Sequence, residues 1–305
     1  MGTSITQFLE KYFWLVLIMA MALGLAFPVY NDLLMSLIEV MLMVMLFLVF
    51  LKIDLVDILE RIKDYRLMLY LSVMYLLVIP VFFYYLLLPL DSTLAVGILL
   101  LTAMPAGTAS PALTDIIKGN TALSMSITIF TSLVAPFTVP FLFTVLGFKQ
   151  ADMDMGQIFY KLALLVFVPM VVSQFVRYFF SRQVQQVRPA FTAINILIMF
   201  LFVYATIGSQ RVLFFNSGWS LLRDVVIVYL AFILLHVFGY LLAHGRPRKD
   251  KIAITIGNAY MNNGMAIVLA SAYFEPAVLV LAILSEFPWN TLLGPFRRVL
   301  RGLSK

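Results

Sequence analysis

The sequence predicts an all-α integral membrane protein with ten transmembrane helices in two inverted five-helix repeats. Three observations predict it: the composition, a series of long apolar runs, and the even spacing of those runs. Of 305 residues, 63% are hydrophobic and 12% charged. A soluble domain carries about 45–50% apolar and about 25% charged residues. The difference excludes an ordinary globular enzyme and a disordered or fibrous chain. A membrane barrel would show short alternating segments instead of long apolar runs. The chain has no cysteine, which removes disulfides, thiolate metal sites and cysteine nucleophiles.

A run of about 20 apolar residues spans the bilayer core as a helix. Ten such runs are present: 12–29, 33–51, 67–90, 92–114, 120–148, 155–176, 189–210, 225–243, 252–274 and 276–296. The loops between them are too short for a soluble domain. Lys11 before the first run, with Ala20, Ala22 and Ala26 in it, also fits a cleaved leader. Charge favours retention. With the N-terminus and the even-numbered connections inside, the inside set holds 17 of the 21 basic residues, leaving Lys149, Lys161, Arg211 and Arg223 outside. Positive charge collects on the cytoplasmic side, so both termini are expected in the cytoplasm, with the chain in a bacterial inner membrane. The net charge of +6, including the Arg246–Lys251 cluster, then serves orientation, and no nucleic-acid partner is expected.

Runs 2 to 5 and runs 7 to 10 begin 156, 158, 160 and 156 residues apart. Residues 1–150 and 151–305 thus read as two repeats of five helices. Five is odd, so the second repeat enters the membrane inverted, a design common in secondary transporters.

Two runs are interrupted at the same repeat position. In the fourth, Pro105, Gly107 and Pro111 fall within seven residues, and proline removes an amide donor and clashes with the preceding turn. Ser110-Pro111 reads as a new helix start, with serine as N-cap. The ninth run has Asn258, Asn262 and Asn263 between Gly257 and Gly264. Irregular backbone at membrane depth is tolerated where it lines a cavity or is buried in protein. Matched interruptions point to a transporter binding site; a kinked helix with polar packing contacts is the alternative.

Gly107-Thr-Ala-Ser110, Lys118-Gly-Asn-Thr-Ala-Leu-Ser124, Thr128, Ala135-Pro136, Asn262-Asn-Gly-Met-Ala266 and Ala270-Ser-Ala-Tyr-Phe274 resemble the bile acid:sodium symporter family. Leu51-Lys-Ile-Asp54, Leu235-His236 and Gly239 add to the likeness. The resemblance implies a panel of helices 1, 2, 6 and 7 and a core of helices 3–5 and 8–10. In that core, helices 4 and 9 cross at their breaks, and a small organic anion binds near the crossing. By motif position, Thr108, Ala109, Ser110, Asn262 and Asn263 would contact it. Amides at a helix start and an asparagine donor suit a carboxylate.

The chain departs from the family at the implied sodium sites. Of the first site it keeps Ser110, Ser124 and Thr128; Pro111 stands at the asparagine position and Gly257 at the glutamate. Tyr75 and Met261 stand at the two glutamines of the second. A hard cation wants several oxygens and some compensating charge. The second site is therefore expected to be absent and the first to be residual.

Ionisable groups within spans default to functional hypotheses. Glu286 and Asn290 in the tenth run, His236 in the eighth, Glu39 in the second and Asn258 are the coupling candidates, through a replacement cation or a proton. His236 also reads as structural. No enzymatic cofactor is expected. The expected partners are a small organic anion and membrane lipid, and a monomer and a homodimer fit equally. An intramembrane enzyme would need paired carboxylates or a histidine pair, and a channel a filter. A scaffold would gain nothing from two broken helices. The arsenite-exporter lineage of this architecture depends on a cysteine that is lacking here.

Overall fold

The computed structural model describes residues 12–53, 64–148, 154–216 and 218–302. Lys11, Asp54 and Lys149 lie outside them, as do Arg61, Lys63 and Lys305 of the inside basic set and the side chain of its Arg301. The described residues are helical, with one isolated antiparallel bridge between Ala106 and Met261 and no strand.

Among the described residues, five helices are long and apolar enough to cross a membrane: Tyr65–Leu87, Thr121–Val145, Met155–Phe179, Ser181–Ser209 and Gly218–Leu242. A sixth is added if Pro276–Thr291 and Leu293–Leu300, bent by 42°, form one span. The ten runs exceed this number for a local reason. Four of them hold shorter apolar helices, Leu15–Ala26, Ile38–Leu51, Ser92–Thr102 and Asn263–Tyr273. The last two are cut by the proline, glycine and asparagine interruptions. Ile38–Leu51 is separated at Leu37 from the short Asn31–Ser36 helix.

The chain divides into two compact units. One comprises Met1–Leu59 and Ala163–Asn216, the other Glu60–Leu162 and Ser217–Lys305. In the first, the Phe13–Ala26 and Phe191–Ser209 helices approach closely through Gly24. A Cβ there would lie 2.6 Å from the Tyr204 carbonyl oxygen. Small residues that let backbones meet are the usual contact between membrane helices. Leu48, Leu51, Val184 and Phe191 form a buried cluster at the other end of the Phe191–Ser209 helix. Glu39 sits half-buried in the first turn of Ile38–Leu51, where the positive end of the helix dipole favours an acid.

The second unit contains both interrupted runs. Several of its helices are started by side chains that accept backbone amides left free at a helix end. Asp64 accepts from Leu67, Asp91 from Thr93 and Leu94, and Asn120 from Leu123. Within Tyr65–Leu87, residues Met74–Val78 form a π-turn. Pro80 follows it at once, and its missing N–H and bulky ring disturb the ladder in the preceding turn.

Candidate functional site

The Ser92–Thr102 helix ends where Pro105 withdraws an amide donor, and the Ser110–Ile116 helix follows. The Arg248–Ala259 helix likewise stops at Tyr260, and Asn263–Tyr273 follows. The two interruptions meet. Gly107 N donates to the Tyr260 carbonyl at 2.7 Å, and Asn262 N donates to the Pro105 carbonyl at 2.8 Å. Ala106 N donates to Thr131 Oγ1 at 3.2 Å. Each break thus satisfies backbone groups that the other leaves without a helical partner, which an apolar interior demands. Gly107 is required here: a Cβ would lie 2.7 Å from the Tyr260 oxygen and 3.0 Å from the Met261 oxygen.

Ser110 does not cap the new helix. Ala109 occupies that place, and Ser110 Oγ donates across the junction to the Tyr260 carbonyl at 3.0 Å. Ser110 is the first helical residue, one place past the cap, and its hydroxyl proton goes to the second lone pair of that buried carbonyl. Asn262 is the true cap of its helix, accepting from Met265 N at 3.2 Å through Oδ1. Thr108 and Ala109 are half-buried, whereas Asn262 and Asn263 are buried. Asn262 Nδ2 and both side-chain polar atoms of Asn263 have no hydrogen-bond partner. Such atoms are uncommon in a folded interior and call for an explanation.

Glu286 is 1% exposed. Asn290 Nδ2 donates to its backbone carbonyl at 2.7 Å and to Oε2 at 3.3 Å, while Oε1 is without a partner. Asn290 and Asn263 are the polar side chains facing this carboxyl: Asn290 bonds it, and Asn263 stands beside it just beyond hydrogen-bond distance. Trp289, on the same short helix, donates through Nε1 to the Met261 carbonyl at 3.3 Å. Glu286 therefore belongs to the segment that contacts the junction. Asn258 and His236 have structural partners: Asn258 Nδ2 donates to the Leu235 carbonyl at 2.7 Å. The His236 ring nitrogens lie 2.7 Å from the Phe232 carbonyl and 3.3 Å from the Tyr260 hydroxyl. Glu39 lies in the other unit.

The three hydroxyl residues kept from the resemblance are fully buried. Beside the Ser110 bond, Ser124 Oγ accepts from Thr114 Oγ1 at 3.1 Å, and Thr128 Oγ1 donates to the Gly107 carbonyl at 3.4 Å. Among the described residues, no group of three acidic, histidine or cysteine side chains could hold a metal ion. Gly257 has the Tyr75 ring beside it, with Tyr75 Cε2 3.5 Å from the place of a Cβ. The Tyr75 hydroxyl donates to the Ile254 carbonyl at 2.6 Å. Sequence reasoning did not foresee three of these participants: the Tyr260 carbonyl, Thr131 and Trp289. Their side chains look like ordinary packing, and only the fold brings them to the break.

Residues 11–285 match the model of the SBF-like CPA transporter family (DUF4137). The chain belongs to that family. Among curated proteins it is 30% identical over 207 residues to the "Uncharacterized sodium-dependent transporter YocS" of Bacillus subtilis (strain 168), covering 67% of this chain and 63% of the relative. It is 29% identical over 219 residues to the "Probable sodium/metabolite cotransporter BASS1, chloroplastic" of Arabidopsis thaliana, covering 70% and 53%. It is 24% identical over 220 residues to "Sodium/bile acid cotransporter 7-B" of Xenopus laevis, covering 68% and 63%. The match spans between about half and just under two thirds of these relatives. The names agree with the resemblance to bile acid:sodium symporters. The family description agrees with the several membrane-length helices among the described residues.

Proposed function

We propose that this protein is a secondary transporter that carries a small organic anion across the membrane by alternating access. The observation that carries this reading is the pairing of the two helix breaks at Ala106 and Met261. Around it stand a half-buried Thr108, a buried Asn262 donor and a buried Asn263, the latter two with unpartnered side-chain atoms. These groups offer donors to a carboxylate, and a transporter site requires irregular backbone that a packing kink does not. The reading includes ten spans with both termini cytoplasmic, in a bacterial cell membrane, and repeats at 1–150 and 151–305. It takes the two compact units as panel and core.

On coupling, the relatives' names speak of sodium, and the residues here fit that ion poorly. Three hydroxyls, each already hydrogen-bonded, supply dipoles without charge. Gly257 offers no ligand, and Tyr75 and Met261 bring a phenol already bonded to a carbonyl and a thioether. A proton on Glu286 is the better-supported coupling ion, since a cage for a metal cation would need more free oxygens than Glu286 Oε1 and Asn263 Oδ1 provide. Purified protein in vesicles, offered a panel of radiolabelled small carboxylates, tests the main reading. Saturable uptake of at least one acid is expected. No flux of any acid under imposed proton or sodium gradients would overturn it.

A further inference from the structure

A groove of about 310 Å³ lies in the second unit, between the Gly218–Leu242 helix and the C-terminal Leu293–Gly302 helix. Its walls are apolar: Ile233, Val237 and Leu241 on one side, Leu292, Val299 and Leu300 on the other. From Ile233 to Leu241 the groove extends roughly 12 Å along a helix of 1.5 Å rise per residue. That is a shape for one hydrocarbon chain: the polar side chains in its lining are Tyr240 and His236, and both His236 ring nitrogens are already engaged.

The groove differs from an ordinary lipid-facing surface at its rim. Tyr240 and Leu300 close that end. Lys251 Nζ lies 5.0 Å from the centre of the Tyr240 ring, and Arg248 Nη2 donates to the Leu300 carbonyl at 3.0 Å. Lys249 lies between them in sequence, and Arg297 and Arg298 are exposed on the C-terminal helix. Two acids stand nearby, and both are engaged: Asp250 accepts from Asn120 Nδ2 at 2.7 Å, and Asp64 pairs with Arg246 at 2.8 Å. The rim is therefore cationic, and it sits where an apolar helix gives way to polar sequence at Leu242. A tyrosine and a cation at that level mark the membrane interface. Basic groups there attract anionic head groups.

We propose that this groove holds one acyl chain of an anionic phospholipid, with the lipid phosphate at Arg248 and Lys251. The floor of the groove reaches the junction. Phe296 packs on His236 with ring centres 4.9 Å apart, and His236 Nε2 lies 3.3 Å from the Tyr260 hydroxyl. The Tyr260 carbonyl in turn accepts from Gly107 N and Ser110 Oγ. A lipid seated here braces the residue on which the two helix breaks converge, so its occupancy is felt where the helices cross.

The test is the thermal midpoint of the purified full chain in detergent, titrated with phosphatidylglycerol or with phosphatidylcholine of the same acyl chains. A ligand that binds only the native state raises the midpoint in a saturable way. Saturable stabilisation by phosphatidylglycerol and little by phosphatidylcholine is expected. Val237→Trp, at an exposed position, fills the groove and should remove most of the shift. Arg248→Gln/Lys251→Gln should reduce it to the phosphatidylcholine level. Equal stabilisation by both lipids would overturn the proposal. So would an equal effect of free glycerol phosphate, which would mark a site for phosphate alone, or a phosphatidylglycerol shift that survives Val237→Trp. None of these readouts depends on transport, so failure here leaves the transporter reading standing, and the reverse holds too.

Discussion

The Tyr75 ring occupies the space into which a side chain on Gly257 would grow. Its Cε2 lies 3.5 Å and its hydroxyl 3.7 Å from the place of a Gly257 Cβ, and Ile127 Cγ2 closes the other side at 3.0 Å. Tyr75 is held there by its bond to the Ile254 carbonyl and by the π-turn from Met74 to Val78. An acid at position 257 would meet a phenyl ring and a branched alkyl group instead of a cation. We expect Gly257→Ala to cost a little stability, because the Ile127 γ2 methyl, on a stiff β-branched side chain, must give by a few tenths of an ångström. Gly257→Glu should unfold the protein at a lower temperature, by overpacking of about 1–3 kcal/mol together with burial of an unpaired charge. Tyr75→Ala in the same chain should recover part of the loss. Equal thermal midpoints for Gly257→Glu with and without Tyr75→Ala would refute the shared-volume argument.

Gly107→Ala tests the junction. Its Cβ would fall 2.7 Å from the Tyr260 oxygen, a backbone atom that cannot swing aside. The Ala106–Met261 bridge must open, at a cost of about 1–3 kcal/mol. Loss of transport with a lowered midpoint is expected. Unchanged flux would mean that the pairing of the breaks is dispensable.

The breaks themselves were legible in the sequence, because Pro105 and Asn262 act on the backbone locally, one by withdrawing a donor and the other by capping Met265 N. Their pairing was not, since nothing local tells which carbonyl Gly107 N will meet. Ser110 shows the limit well. Its residue type and the proline after it match a helix cap, yet a carbonyl 150 residues away takes its hydroxyl. The role of Tyr75 was equally hidden, although Pro80 a turn later could have signalled a disturbed helix. The number of membrane-length helices fell below the number of apolar runs for the same reason: composition sees the run, and hydrogen bonding decides where a helix stops.

Asn262 separates capping from binding. Asn262→Ala loses both the cap on Met265 N and the free amide, so it should weaken substrate binding and cost about 0.5–2 kcal/mol of stability. Asn262→Asp keeps a cap acceptor and removes the donor. Burial of the new carboxylate lowers the midpoint, and affinity for a carboxylate substrate falls at least tenfold. Thr108→Ala should lower affinity with little change in midpoint. An Asn262→Asp protein with wild-type uptake kinetics would remove Asn262 from the site.

The Asp64–Arg246 pair predicts a modest acid sensitivity at the cationic end of the second unit. The Arg246 hydrogen bond and then the Leu67 amide hold the Asp64 carboxyl below its ordinary range. A carboxyl lowered in the folded state gives stability that is full above its unfolded pKa, about 3.9, and is lost as pH falls through the folded value. Both partners are largely exposed, so the effect is small and screened by salt. Midpoints measured from pH 3 to 7 should converge for wild type and Asp64→Asn at the acid end, and high salt should shrink their difference at neutral pH. A difference that grows on acidification would contradict the sign.

Coupling is the last and most consequential expectation. A ligand shifts a two-state equilibrium only by its differential binding, so a coupling ion needs a site with real affinity. The buried hydroxyls of Ser110, Ser124 and Thr128 have neighbours already and no carboxylate among them. Glu286 is a buried acid with one bare oxygen, on the segment whose Trp289 bonds the Met261 carbonyl at the junction. Its facing groups, Asn263 and Asn290, are neutral amides, and the described ion pairs leave it without a cation. Burying a lone charge is costly, and a carboxyl that takes up and releases a proton avoids that cost in one of its two states. Uptake of an organic acid into vesicles should therefore change little when choline replaces sodium at fixed pH. It should follow an imposed pH gradient, and Glu286→Gln should abolish that dependence while leaving counterflow exchange. Steep, saturable activation by sodium would overturn this account and return Ser110, Ser124 and Thr128 to the role of ligands.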